Sequence, residues 1–424
     1  MPQPEEAFRA AHPEEAYSVA KLRLAYSDLL ALTEQYWTVH HALQATLSQR
    51  RLLATEYRKR GLPKHGRIAL REARQAADAV PIITAGHFAE LHDLEVEIYQ
   101  AAAADVRNTA FNLQRISDLS DLAYIAQKLQ NVCTALSHQA VFRTSYRFGM
   151  LEAIYGEVER ENLLQYPVIA LYYHAARFLT DAALETHFTQ FIEVLQLYGD
   201  AFAEEETRSL YLLAINFGVK KCNTGLQKWY RITFDLYREA LEKSLLPDRG
   251  VLSRFAYNNI AIIGGKLGET AWVEAFLAQY KSSLERTWRE ASFSLNMARL
   301  EYGRKRYKET LQYLQRADYK DFINSMNAKI LQMKVYYETS EYAVLESHLD
   351  SMQNYIRRQR AAGYHRENFL NIIHITRQLL HHATHNTPPD MEDLRKTVQD
   401  TPILTERDWL LEQIKDDQER FHIP

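Results

Sequence analysis

Two stretches of the chain repeat each other: residues 295–317 read LNMARLEYGRKRYKETLQYLQRA, and residues 330–352 read ILQMKVYYETSEYAVLESHLDSM. At an offset of 35 residues, Tyr302 falls on Tyr337 and Tyr307 falls on Tyr342. Six further positions carry small or apolar residues in both stretches: Leu295 and Ile330, Ala298 and Met333, Leu300 and Val335, Thr310 and Leu345, Leu314 and Leu349, Ala317 and Met352. The match predicts two successive helix pairs that turn at the same place.

The same helical spacing extends over most of the chain. The 424 residues include only 14 Gly and 11 Pro, about half of the usual share, which favours long helices over many short strands. From about residue 18 onward, apolar residues recur every three or four positions, and short polar or Gly/Pro segments interrupt them. We therefore predict antiparallel helix pairs whose first helices begin near residues 84, 121, 167, 207, 252, 291, 326 and 365.

The order of small and aromatic residues in these pairs resembles the tetratricopeptide (TPR) repeat. The first pair carries the pattern at Ala298, Tyr302, Tyr307, Thr310, Leu314 and Ala317. A weaker match lies upstream at Ala261, Gly265, Gly268, Val273 and Leu277. A single pair has too few apolar side chains to offset its conformational entropy, so successive pairs must stack. The predicted fold is all-α, a right-handed α-solenoid of antiparallel helix pairs.

A longer part of the chain resembles an uncharacterised bacterial family of degenerate TPR-like proteins. The similarity runs from Leu210 to Leu246, with Cys222, Gly225, Leu236, Tyr237 and Leu241, and continues through Tyr336, Tyr337, Glu338, Arg357, Arg358, Trp409 and Leu410. No activity is carried over from this resemblance. The expected organisation is a flexible segment at 1–17, degenerate helix pairs at 18–250, TPR-like pairs at 251–385 and capping helices at 386–424.

Composition excludes several classes of function. There are 51 Lys and Arg against 54 Asp and Glu, so no global basic excess draws the chain to nucleic acid. Two isolated cysteines, Cys133 and Cys222, disfavour a disulfide scaffold and suit a reducing compartment. No signal sequence or membrane-spanning segment is recognised, which predicts a cytoplasmic protein without a membrane partner. Nucleotide-binding and catalytic motifs are absent from the sequence, so we expect neither an enzyme nor a cofactor.

The predicted function is a non-catalytic protein–protein interaction scaffold. The TPR resemblance implies that the first helices of the pairs line a concave face, which binds a peptide or protein. By repeat phase, the residues expected on that face are Asn258, Lys266, Arg299, Tyr302, Lys334 and Tyr337. Cations, an amide and aromatic rings together suit a peptide that carries carboxylates.

A basic segment offers an alternative, a regulatory or nucleic-acid-associated module. Residues 50–74 hold nine cations against Glu56 and Glu72, a local charge of +7. No helix-turn-helix signature or aromatic stacking platform accompanies them, so the sequence disfavours nucleic acid as the partner. The sequence favours the simpler explanation, a pair of well-solvated amphipathic helices. The cations are Arg50, Arg51, Arg58, Lys59, Arg60, Lys64, Arg67, Arg71 and Arg74.

Four histidines cluster near the end of a predicted helix: His374, His381, His382 and His385. Their spacing places pairs on one helical face, which is compatible with a transition metal. No cysteine or nearby carboxylate completes a ligand set, and histidine also suits the negative end of a helix dipole. The sequence favours a solvated helix end and no metal, and leaves the metal site as the alternative.

Overall fold

The structure of this chain, a computed structural model, consists mainly of helices. It describes residues 3–11, 13–44, 46–79, 84–103, 111–142, 144–358, 364–385 and 391–421. Within these ranges the chain forms twenty α-helices and no β-strand, which confirms the predicted all-α class. Its internal contacts divide the chain into two compact units, Met1–Leu213 and Ala214–Pro424. The predicted change at residue 250 falls inside the second unit.

The helices of the first unit are α1 (Pro4–Ala11), α2 (Val19–Gln44), α3 (Thr46–Lys59), α4 (Pro63–Asp78), α5 (Ala85–Ala103), α6 (Leu113–Val141), α7 (Leu151–Arg160), α8 (Pro167–Thr180) and α9 (Glu185–Tyr198). The division between the units lies within α10 (Glu204–Cys222). The second unit continues with α11 (Gln227–Glu242), α12 (Arg254–Lys266), α13 (Thr270–Tyr280), α14 (Arg289–Gly303), α15 (Tyr307–Gln315), α16 (Phe322–Glu338), α17 (Tyr342–Arg358), α18 (Tyr364–His385), α19 (Met391–Asp400) and α20 (Arg407–Phe421).

The predicted helix starts agree closely with the observed ones. Helices α5, α8, α10, α12, α14, α16 and α18 each begin within four residues of the predicted position. Helix α8 begins at Pro167, where the fixed φ of proline and its missing N–H are both tolerated. Helix α6 differs, since it begins at Leu113, eight residues before the predicted position 121.

The turn inside each helix pair has the same geometry in both repeated stretches. Lys305 and Ser340, which are 35 residues apart, both adopt a left-handed backbone with φ of 60°. In each turn an amide bonds back across the helix end, which satisfies a terminal carbonyl in a Schellman motif. The donor and acceptor residues are Arg306 and Glu301, Glu341 and Tyr336, and, in the preceding pair, Glu269 and Gly264, each at 2.9 Å. The offset of 35 therefore holds for the backbone as well as for the sequence.

Most of the residues matched at this offset lie in the hydrophobic core. Leu295, Ala298 and Leu314 of the first stretch pack with Ala328 and Leu331. The matched residues of the second stretch belong to a larger cluster that continues through α18 and α20. They are Ile330, Met333, Tyr337, Leu345, Leu349 and Met352. The periodicity in the sequence thus marks the buried faces of four consecutive helices.

Contacts between helices in the second unit are sequential. The first helices of successive pairs pack side by side, because α12 contacts α14, α14 contacts α16, and α16 contacts α18. The second helix of each pair also contacts the first helix of the next one: α13 with α14, α15 with α16, and α17 with α18. In the first unit α3, α4 and α5 pack together. The contacts then continue from α5 to α6, from α6 to α8 and from α8 to α9.

The two ends of the chain carry short helices. Helix α1 lies in the segment predicted to be flexible, where Phe8 is fully buried and its ring meets that of Tyr17 edge-on at 5.6 Å between centroids. Helices α19 and α20 occupy the predicted capping segment, of which residues 386–390 and 422–424 lie outside the described ranges. Among the described helices, none combines the length and the apolar character needed to cross a membrane.

Two adjacent glycines of α12 provide a test of this packing. A Cβ on Gly264 would overlap Val273 and lie 2.7 Å from the Cε2 atom of Phe234, whereas a Cβ on Gly265 would meet no atom within 4 Å. We expect Gly264→Ala to lower the free energy of unfolding by about 1–3 kcal/mol through overpacking. Gly265→Ala should leave it equal or raise it by up to about 1 kcal/mol through helix propensity. Thermal unfolding of both variants measures the difference, and equal melting temperatures would contradict the assigned contact.

Candidate functional site

Three successive first helices line an open cavity of about 430 Å³ in the second unit. On each helix the lining residues, some of them adjacent in sequence, recur after three or four positions, so they share one face. The segment before α20 closes one side with Glu406. The lining residues are Ala261, Ile262, Gly265 and Lys266 from α12, Thr270 from α13, Arg299, Leu300, Tyr302 and Gly303 from α14, and Asn327, Ile330, Leu331 and Lys334 from α16.

Arg299 is a desolvated cation in the wall of this cavity. Burial lowers the pKa of its guanidinium to about 10, and the negative charge of Glu406 offsets part of that effect. Its Nη1 donates to Oδ1 of Asn296 at 2.9 Å, and Nδ2 of Asn296 donates to Oδ1 of Asn258 at 2.7 Å. Within the part of the chain that the structure describes, no carboxylate forms an ion pair with Arg299. The guanidinium is therefore bonded to an amide oxygen and is influenced by the charge of Glu406 without an ion pair to it.

Lys334 forms an ion pair with Glu406 at the edge of the cavity. The exposed fraction is 14% for the Lys334 side chain and 25% for that of Glu406, so the pair is shielded from solvent. The Lys334 ammonium also lies 5.8 Å from the ring centroid of Tyr302 and 5.4 Å from that of Trp409. These aromatic faces stabilise the cation in place.

The cavity brings together four of the six residues predicted to bind a partner. Lys266, Arg299, Tyr302 and Lys334 line it, and three cations against the single carboxylate Glu406 favour an anionic ligand. Asn258 lies behind the wall and supports Asn296. Tyr337 is 2% exposed and its hydroxyl donates to Asp417, so it is a core residue and is not presented to a ligand.

A buried carboxylate, Glu338, positions Tyr302, the aromatic residue of the cavity wall. It accepts hydrogen bonds from the hydroxyls of Tyr302 and Tyr307, from Nζ of Lys305 at 2.9 Å and from Nε1 of Trp409 at 2.9 Å. Burial alone would raise the pKa of Glu338, but these bonds outweigh it and lower the pKa below its usual value. No sequence motif indicated this role, because the donors come from three different helices and a turn.

Helix α5 supplies carboxylates to three cations of the basic segment, Arg51, Arg58 and Arg74. Arg51 pairs with Asp93 at 3.2 Å and Arg58 pairs with Glu97 at 3.0 Å. Glu95 is 2% exposed, and burial would raise its pKa, but hydrogen bonds from Asn112, Arg74 and Arg115 lower it below the usual value. Within the segment, Arg50 pairs with Glu72, and Lys59 and Arg60 pair with Glu56. The net charge of +7 therefore overstates the field of this surface.

Three cations of the segment remain exposed and form no ion pair with any described residue. They are Lys64, Arg67 and Arg71, which lie three and four residues apart on one face of α4. This stripe is what the structure leaves for an anionic partner at the predicted basic patch.

His174 and His187 form a buried pair in the first unit. Their Nδ1 atoms are 2.9 Å apart, so one neutral ring donates to the other. Burial lowers the pKa of His174 to about 4, and the positive charges of His187 and Arg177 add to the effect. Burial also lowers the pKa of His187. The two residues come from the facing helices α8 and α9, and their spacing in sequence gave no indication of the contact.

The predicted histidine cluster lies on α18. His374 and His381 are exposed, and the rings of His381 and His382 are 6.0 Å apart. The side chain of His385 lies outside the described residues. Across the described ranges, no group of three histidine, cysteine or acidic side chains is placed to hold a metal ion.

No protein-family model, curated protein or solved structure matches this chain. The fold and the cavity therefore define the class of protein. It is an all-helical protein whose successive helices pack in pairs, with a cationic cavity between three of them.

The ion pairs of the basic segment lead to a prediction for nucleic-acid binding. The slope of log K against log salt concentration is about −0.9 per phosphate neutralised on duplex DNA. If only Lys64, Arg67 and Arg71 are available, we expect a slope of about −3, and about −8 if all nine cations engage. Fluorescence anisotropy with a short DNA duplex at several salt concentrations measures the slope. A slope near −8 would show that the ion pairs with α5 open on binding.

The histidine pair leads to a prediction for acid stability. His174 becomes protonated below a pH of about 6.5 in the unfolded chain, but only below about 4 in the folded chain. The stability that neutral His174 contributes is therefore present above pH 6.5 and is lost as the pH falls from 6.5 to 4. The shift corresponds to at most about 3 kcal/mol. We expect His174→Gln to flatten the dependence of melting temperature on pH between 7 and 5. His65→Gln, at an exposed site of the same unit, should retain the dependence of the native chain; equal profiles for both variants would contradict the prediction.

Proposed function

We propose that this protein is a non-catalytic interaction scaffold that binds a carboxylate-bearing peptide or protein segment in the cavity between α12, α14 and α16. The observation that carries the proposal is Arg299, a desolvated guanidinium in the cavity wall with no carboxylate partner among the described residues. A ligand carboxylate reaching it forms charge-assisted hydrogen bonds, which arginine can make in bidentate geometry.

The electrostatics of the cavity support an anionic ligand. Burial of Arg299 disfavours its charged form, as the lowered pKa indicates, and a carboxylate placed beside it offsets that penalty. Lys266 adds a second cation at the open side of the cavity, and Lys334 adds a third, which Glu406 neutralises when no ligand is bound. A volume of about 430 Å³ lies in the range of small-ligand sites, so the cavity suits a few side chains of a peptide rather than a folded domain.

The proposal includes the finer assignment of the fold. We assign the pairs from α12 to α17 to a TPR-like array. Support comes from the three Schellman turns, which lie 37 and then 35 residues apart, and from the contacts of first helix with first helix and of second helix with the next first helix. In a TPR-like array the first helices face the partner, and the cavity lies between first helices here. The bacterial TPR-like family remains the proposed relationship.

A regulatory or nucleic-acid-associated role stays a second candidate. Only the exposed stripe of Lys64, Arg67 and Arg71 favours it, because the other cations of the segment are engaged in ion pairs. Phosphate contacts of this number give weak binding without sequence specificity.

The experiment compares partners retained by three forms of the full chain in the native cell. Arg299→Gln removes the charge in the cavity and keeps a side-chain donor near Asn296. Lys308→Gln removes the same charge at an exposed position on α15 outside the cavity. A partner that the native chain and Lys308→Gln retain, and that Arg299→Gln loses, supports the proposal.

The affinity of the native chain and of both variants for a synthetic segment of that partner then gives the contribution of Arg299 to binding. A hydrogen bond to a charged group contributes about 1.5–3 kcal/mol, so Arg299→Gln should weaken binding by roughly 10- to 100-fold. Isothermal titration calorimetry measures this, and thermal unfolding confirms that both variants are folded. Unchanged affinity in Arg299→Gln would remove the cavity from the proposed function.

A further inference from the structure

Helix α2 exposes far more apolar surface than a helix inside a folded unit normally does. Its 26 residues span about 39 Å at 1.5 Å per residue. Leu29 is 59% exposed, Leu32 63% and Tyr36 62%. Trp37 and Leu43 are exposed to a similar extent. An exposed apolar face of this length marks an interaction surface.

Five of the exposed apolar residues, Leu29, Leu32, Tyr36, Val39 and Leu43, fall on a heptad repeat. Apolar residues occupy every first position and every fourth position over three heptads, which is the seam of a coiled coil. The first positions are Leu22, Leu29, Tyr36 and Leu43, and the fourth positions are Ala25, Leu32 and Val39. Leu22 is buried and Ala25 is half-buried, so the seam begins against the folded unit and is open beyond it.

We propose that α2 is a dimerisation helix, which forms a coiled coil with α2 of a second copy of this chain. This interface is separate from the cavity and does not depend on the proposed function.

The charges beside the seam favour a second copy over a different protein. Coiled coils select partners of another sequence through complementary charges at the positions that flank the seam. In α2 those positions hold Lys21 and Asp28 as the only charged residues; the others are Tyr26, Thr33, Gln35, His40 and Ala42. In a parallel pair Lys21 faces Tyr26 and Asp28 faces Thr33, so self-association creates no like-charge contact and no charge pattern selects another partner.

The area available is sufficient for a stable dimer. Six large apolar side chains on the seam or at its flanking positions are about half or more exposed: Tyr26, Leu29, Leu32, Tyr36, Val39 and Leu43. At an order of 100 Å² each they offer about 600 Å² per copy and about 1,200 Å² in all, which is the lower end of the range for specific, stable interfaces. A lipid surface fits less well, because the remaining face of α2 balances Lys21 and Arg23 with Asp28 and Glu34 instead of presenting a row of cations.

The test measures the mass of the full chain in solution by light scattering and sedimentation over a wide range of concentrations. The expected mass is twice 49.4 kDa. Leu32→Glu places a charge in the seam of each copy and should weaken the dimer by at least about tenfold. Leu24→Glu is the matched control, since Leu24 is 64% exposed on the same helix but lies outside the seam. It should dimerise like the native chain.

Circular dichroism and thermal unfolding establish that both variants fold like the native chain, which the exposure of both leucines leads us to expect. A monomer of 49.4 kDa at every concentration overturns the proposal. So does a dimer that Leu32→Glu and Leu24→Glu affect equally. A monomeric chain that co-sediments with anionic phospholipid vesicles through α2 assigns the face to a membrane and also overturns it.

Discussion

The carboxylate of Glu338 is the interaction on which the second unit depends. It lies at the end of α16 and accepts hydrogen bonds from Tyr302 of α14, Tyr307 of α15 and Trp409 of α20. Two helix pairs and the C-terminal helix therefore meet at one buried charge. Removal of that charge would leave several buried donors unsatisfied, which costs more than the bonds themselves contribute. Because Tyr302 is fixed here, its ring remains in the cavity wall beside Lys334.

Features encoded locally in the sequence could be predicted, and those that depend on distant contacts could not. The helix starts and the matched core positions follow from apolar spacing, since each is decided by residues within a few turns. The left-handed turns at Lys305 and Ser340 recur with the repeat, although neither is a glycine. Arg299 and Lys334 were predicted from repeat phase alone. Glu406 was missed, because it lies 72 residues after Lys334 and reaches the cavity only through the return of the C-terminal segment.

Local charge along the sequence overstates the free positive charge of the segment 50–74 and understates that of the cavity residue Arg299. The segment 50–74 has a large local excess of cations, yet α5 supplies carboxylates that neutralise several of them across the helix packing. Arg299 has an unremarkable sequence neighbourhood, with Glu301 two positions away, yet that carboxylate pairs with Arg304. A cation is therefore available to a ligand when the fold directs the nearby carboxylates elsewhere, and sequence separation does not decide this.

The cavity and helix α2 have one physical property in common: each contains groups whose unfavourable solvation is not fully offset by contacts within the described chain. Arg299 is desolvated and forms no ion pair with a described residue, and the seam of α2 exposes apolar side chains to water. Both states carry a free-energy cost that nothing in the same helices offsets. The two requirements differ in kind, since the first is met by a single charged group and the second only by a long apolar helix. The cavity lies in the second unit and α2 in the first, so a carboxylate ligand and a second copy of the chain would bind different residues.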